Sequence, residues 1–232
     1  MAAAACLGAA LFVASCGSSE DTRFTSVGSA VTDPPSPSTH RCLESSETFT
    51  GDVDGDDVGD RGDVCLTGRN EAQVVLHSSK CGLVRSDPVG AMDPHGIYGS
   101  LDNGDGTRLI LANAYNHDSG PNLDVFVLND CSLRSVRENG AGIPGQFILN
   151  LVNERSWRNG VTCERINGRL QFVLRKSDRA GEGRWRTSTF RWTVEKGEAR
   201  NVGSDYDGPT LREQDLPQPD HSLDCEGIRS PT

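Results

Sequence analysis

Beyond residue 42 the chain carries no apolar repeat at helical spacing, which excludes a helical bundle. Aromatics are 6% and hydrophobic residues 35% of the 232 residues, so any core is lean. Positive charge is in deficit. The formal net charge of −10 excludes nucleic acid or an anionic membrane surface as the main partner. No Cys-x-x-Cys pair and no two of the five His stand at metal-ligand spacing, which argues against zinc. Nucleophile elbow, phosphate loop and paired catalytic carboxylates are all missing, so nothing in the sequence assigns a reaction. The apolar run at residues 2–13 is too short to cross a bilayer comfortably.

What is abundant is glycine, at 26 residues. Short β-prone runs alternate with Gly, Asn and Asp turns: "DVCLTG", "AQVVLHS", "CGLVRS", "TRLILANAY", "LDVFVLND", "QFILNLV", "GVTCERI", "GRLQFVLRK" and "GRWRTSTFRWTVE". That rhythm predicts a single all-β domain over residues 42–232, ending in an irregular Pro-rich tail.

The N-terminus reads as an export signal over residues 1–15, ending in Val13-Ala14-Ser15-Cys16. An apolar residue, two small ones and Cys resemble the lipobox of bacterial lipoproteins, although no Lys or Arg precedes the apolar run. The resemblance implies lipidation of Cys16, a membrane anchor and a bacterial cell-surface location. Residues 16–41, rich in Ser, Thr, Pro and acids, then form a disordered tether. With Cys6 in the signal and Cys16 lipidated, six Cys remain: Cys42, Cys65, Cys81, Cys131, Cys163 and Cys225. An even set in an exported chain predicts disulfides, of open connectivity. Cys225 should tie the tail back to the body.

The sharpest feature is "GDVDGDDVGDRGDV" at residues 51–64, with six Asp and one opposing Arg. Asp52, Asp54 and Asp56 fall at positions 1, 3 and 5 of a loop, Val58 offers a carbonyl at 7, and Asp60 stands at 9. Asp63, at position 12, is the alternative terminal ligand. Crowded carboxylates repel unless a cation sits among them, and an all-oxygen set suits Ca2+. The pattern resembles the calcium loop of FG-GAP and VCBS repeats, found in integrin α-chain propellers and bacterial surface proteins. The family has Gly where this chain has Asp57, and its strand follows the last Asp directly, whereas Arg61-Gly62-Asp63 intervenes here. The resemblance implies a small or partial β-propeller-like antiparallel sheet assembly, with a β-sandwich as the alternative. A second stretch, "GSLDNGDGTRLILANAY", looks like a degraded copy, or simply a hairpin turn. The stretches "VFVLNDCSLRSV" and "NGVTCERINGRLQFVL" also resemble actinobacterial exported lipoproteins that carry one such loop.

Three further features have structural explanations. Arg61-Gly62-Asp63 spells an integrin-binding tripeptide beside the ion loop. In "GRWRTSTFRWTVE" a strand would place Arg184, Arg186, Phe190 and Trp192 on one face and Trp185 and Arg191 on the other, an arrangement for packing or for stacking on sugars. Asp205 and Asp207 form a weak acidic pair. The functional expectation is a non-catalytic, calcium-stabilised module that binds an extracellular ligand or envelope protein. The alternative is a cell-envelope hydrolase, perhaps glycan-directed, with its acid and base among the scattered carboxylates.

Overall fold

The structure, a computed structural model, describes residues 41–42, 48–91, 94–117, 120–139, 145–151, 154, 156–206, 208–216 and 223–228. The export signal, Cys16 and the tether other than Arg41 lie outside the described residues. Three sheets form in chain order, antiparallel except where β11 meets β17 and β19 meets β14 in the third. The first, sheet A, holds β1 (Arg41–Cys42), β2 (Phe49–Gly51), β3 (Asp60–Gly68), β4 (Glu71–Ser78), β5 (Gly82–Arg85) and β6 (Val89–Gly90). Sheet B is the meander β7 (Gly96–Asp102), β8 (Arg108–His117), β9 (Gly120–Asn129) and β10 (Ser132–Ser135). The chain then starts sheet C with β11 (Arg137–Glu138) and β12 (Gly145–Gln146), and returns to B with β13 (Ile148–Asn150) on β9. Sheet C is completed by β14 (Trp157–Ile166), β15 (Arg169–Gly181), β16 (Arg184–Glu195), β17 (Glu198–Asp205), β18 (Thr210–Arg212) and β19 (Leu223–Asp224). Among the described residues the only helical turn is the 3-10 segment Glu213–Asp215.

The all-β expectation holds. Each sheet is built on four sequential antiparallel strands: β2 to β5, β7 to β10 and β14 to β17. These up-and-down blocks repeat without closing into a barrel. They match a partial propeller-like assembly, and equally sheets stacked as in a sandwich.

Sheet B is the middle layer. Ile110, Ala112, Phe126 and Leu128 join Val64, Val74 and Leu76 of sheet A in one core. Their neighbours Leu109, Leu111, Val125 and Val127 join Val161, Phe172 and Val194 of sheet C in a second core. Period-2 geometry sends alternate side chains to opposite faces, so a strand covered on both sides must be apolar throughout. That is why "RLILA" and "DVFVL" read as unbroken runs, whereas the strands of A and C alternate more.

Neighbouring sheets are also joined at their turns. Arg108, opening β8, donates from Nη2 to the Asp52 carbonyl at 3.0 Å. Arg169, opening β15, donates to Asp105 in the β7–β8 turn at 2.5 Å. There the backbones nearly touch: a Cβ on Gly104 would lie 1.9 Å from the Gly168 carbonyl oxygen, and Gly104 has φ +80°, so glycine alone fits.

The six expected Cys pair as Cys42–Cys65, Cys81–Cys131 and Cys163–Cys225. The second bridge joins a turn of sheet A to a turn of sheet B. The third ties the tail to β14, as expected. Three disulfides are compatible with an extracytoplasmic location. No helix of the described residues is long and apolar enough to cross a membrane.

Candidate metal centre

The Asp-rich stretch forms the connection between β2 and β3. Two residues in the left-handed region bend it, Gly55 at φ 83° and Asp57 at φ 63°. Asp57 thus takes a conformation more usual for glycine, which Asp tolerates better than most residues. Asp52 organises the bend: its carboxylate accepts from the N–H groups of Gly55 (2.6 Å), Asp56 (3.2 Å) and Asp57 (3.3 Å). Asp60, buried at the start of β3, accepts from Val53 N–H at 2.9 Å and from Ser79 N–H at 2.7 Å.

Oxygens of Asp52, Asp54 and Asp60 all lie within 4.8 Å of one another. Two ligands on one calcium at about 2.3–2.6 Å stand at most about 5 Å apart, so the separation suits a shared ion. The donors are hard carboxylate oxygens, with no nitrogen or sulfur among them, as calcium prefers.

Asp56 turns its carboxylate to Ser79 Oγ (2.5 Å) and to Val58 N–H (2.8 Å). The Ser79 hydroxyl, then the Val58 N–H, hold its carboxyl below the usual range. Val58 itself points outward, half exposed. Asp63 stands apart: it is buried in β3, accepts from Thr48 Oγ1 at 2.9 Å and pairs with Arg61 at 3.3 Å. Of the two alternatives for the terminal position, Asp60 is the one beside Asp52 and Asp54.

Sequence reasoning missed the turn after β4. Ser78 Oγ donates to Asp54, and the N–H of Lys80 approaches the same oxygen at 3.3 Å. Together with Ser79 these donors hold the acidic loop against sheet A. The clue was "HSSKCG", where two hydroxyls end an apolar strand just before a turn fixed by Cys81.

The second acidic loop has a different solution. Asp105 is bound by Arg169 and by Thr107, and Asp102 by Arg165 at 3.5 Å. Guanidinium groups from the end of β14 and the start of β15 neutralise it, and it serves as a hairpin turn and sheet-to-sheet contact. Arg61-Gly62-Asp63 lies inside β3, all three residues paired with β4 and Arg61 and Gly62 also with β2, and so is not displayed as an adhesion loop. The aromatics of β16 are mostly packed: Trp185 is buried beneath Arg158 at 4.6 Å, and Trp192 meets Phe147 at 5.3 Å. Asp207 lies outside the described residues, and Asp205, with no part in the cluster, closes β17.

One other carboxyl is unusual. Asp124, on β9, is 1% exposed, and burial pushes its pKa up to about 7. Its oxygens accept from Ala114 N–H at 3.1 Å and Gln146 Nε2 at 2.7 Å.

Comparison with known proteins gives no lead: no family model, no curated protein and no solved structure matches the chain.

Proposed function

We propose that this chain is an exported, lipid-anchored β module that binds an extracellular ligand without transforming it, and that a calcium ion stiffens its first sheet. The observation that supports the ion is the convergence of Asp52, Asp54 and Asp60 within 4.8 Å in a loop pre-shaped by backbone donors. Bound calcium supplies charge neutralisation. The residues of the chain supply position: Asp52 fixes the bend, Asp60 joins it to β3, and Ser78 and Ser79 hold it on the β4–β5 turn. Because Cys81 follows that turn and is bridged to Cys131, order in the loop passes to sheet B.

Scanning calorimetry of the native chain in calcium and then in excess EGTA tests the ion. At a free calcium one hundred times Kd, binding adds about 2.7 kcal/mol. For a domain of this size the expected fall is about 5–10 °C. Asp54→Asn should melt like the chelated protein and lose its response to EGTA. Identical melts with and without calcium would reject the ion.

The anchor rests on residues 13–16 and has its own test. Mass spectrometry of the chain from a native membrane fraction should find diacylglycerol on Cys16, and an unmodified Cys16 there would remove the lipoprotein reading.

A further inference from the structure

We propose that the Cys81–Cys131 bridge is a redox site: a dithiol opens it, and its state sets the calcium affinity of the acidic loop. This rests on reading Asp52, Asp54 and Asp60 as ligands of the ion.

The three bridges differ in exposure. Cys65 is fully buried and Cys225 is buried too, so two bridges have one half inside the protein. In the third, Cys131 is exposed and Cys81 is only partly buried against the core between sheets A and B. Cys131 also stands in an unfavourable backbone conformation. It and Asp130 are the two residues of the β9–β10 turn, flanked by the Asn129–Ser132 pair, and their φ are 60° and 45°. Turns of this kind favour Asn-Gly, because a Cβ resists the left-handed region. Exposure admits an attacking thiolate, and relief of backbone strain favours the open form.

The reductant is a dithiol. One of its thiolates attacks the Cys131 sulfur to form a mixed disulfide, and Cys81 leaves as a thiolate that takes up a proton. The second thiol of the reductant loses its proton and displaces Cys131, which is protonated in turn. The dithiol becomes a disulfide, and the chain gains two thiols.

The Cys81 end of the bridge is joined to the ion loop by hydrogen bonds. Cys81 ends the Ser79-Lys80-Cys81 turn between the paired residues Ser78 and Gly82. Its N–H donates to Ser78 Oγ at 2.8 Å, and Ser78 Oγ donates to Asp54. Lys80 N–H approaches Asp54 at 3.3 Å. Ser79 donates its N–H to Asp60 at 2.7 Å and its Oγ to Asp56 at 2.5 Å. Two of the three converging carboxylates, Asp54 and Asp60, are therefore aimed from this one turn. With the bridge closed, a covalent bond anchors the turn to sheet B. With the bridge open, the turn keeps only its place in sheet A, and calcium must order it on binding, which weakens affinity. Linkage runs both ways: if the closed bridge tightens calcium, bound calcium makes the bridge harder to reduce by the same factor.

The whole chain is equilibrated with graded ratios of reduced to oxidised dithiothreitol, in saturating calcium and in EGTA. Thiol alkylation and peptide mass spectrometry then read which bridges are open. Cys81 and Cys131 should be labelled before the other bridged cysteines. Their midpoint should be more negative in calcium, by about 30 mV for each tenfold of coupling. Isothermal titration with calcium alone should show Cys81→Ser/Cys131→Ser binding about fivefold or more weakly than the native chain. Cys163→Ala/Cys225→Ala, which opens a bridge of sheet C, should bind calcium like the native chain. If this bridge opens after either of the others, if its midpoint ignores calcium, or if affinity is equal with the bridge open, the coupling is overturned and the ion stands. Unfolding of the chain when this bridge alone opens would also overturn it, because the bridge is then a staple. If the native chain binds no calcium, the ion reading itself fails and takes the coupling with it.

Discussion

Replacing Asp124 with Asn should stabilise the protein strongly at pH 8 and less than half as much at pH 5. Asp124 is enclosed by two sheets, and burial raises its pKa from 3.8 to about 7, with the Ala114 N–H opposing. It makes no ion pair with a described residue that would compensate the charge. Between pH about 4 and about 7 the folded chain therefore holds a proton that the unfolded chain has released, and stability falls as pH rises through that window. A shift of this size amounts to about 4 kcal/mol, present below the unfolded pKa and lost above the folded one. Asn is neutral at every pH. Gln146, whose amide can rotate to offer its oxygen, can accept from the new NH2 group while Ala114 N–H still donates to the Asn oxygen. Urea midpoints for both proteins from pH 4.5 to 8.5 check this. The difference between the curves should open by about 3 kcal/mol, nearly all of it between pH 4.5 and about 7, and level off above. Parallel curves would mean that the carboxyl is ionised and solvated at neutral pH.

Asp124 also shows why some of this molecule was not legible in the sequence. In "LDVFVLND" its polar side chain sits at an alternate position, which in a half-exposed strand would point to water. Only the discovery that sheet B is covered on both faces makes it buried. That depends on how three sheets stack, a long-range property no local pattern encodes. The strands themselves were legible because hydrophobic alternation and Gly, Asn or Asp turns are local. Disulfide pairing was not: Cys81 and Cys131 are joined through the sheet A to sheet B contact. The acidic loop divides the same way. Its positions 1, 3 and 9 could be read from spacing, and Asp52, Asp54 and Asp60 do converge. Its second half, the Ser78–Ser79 turn, arrives through the β3–β4 register. Likewise "DNGDGT" resembles the first loop in composition, but Arg165 and Arg169 from another sheet decide its character.

Severing Cys163–Cys225 by replacing both with Ala should cost about 4 kcal/mol and release the tail. The bridge spans 62 residues, the longest separation of the three, so in the chain-entropy model its loss frees the unfolded chain most. The folded side has little else to hold the tail. Strand β19 pairs with β14 through only Val161–Leu223 and Thr162–Asp224. Leu223 and Cys225 are buried in the core shared by sheets B and C, and Ile228 packs where Gly99 leaves room. A Cβ on Gly99 would lie 2.4 Å from Ile228 Cδ1, so the tail reaches across from sheet C to sheet B. The melting temperature should fall by about 8–16 °C at this size. Cleavage by a low dose of protease should then appear near residue 223 before the sheets are cut. The same change at Cys42 and Cys65, which are 23 residues apart, should cost less, about 3.4 kcal/mol. If both bridges cost the same and the tail stays protected, buried contacts and not the covalent link fix the C-terminus, and the ordering by loop length fails.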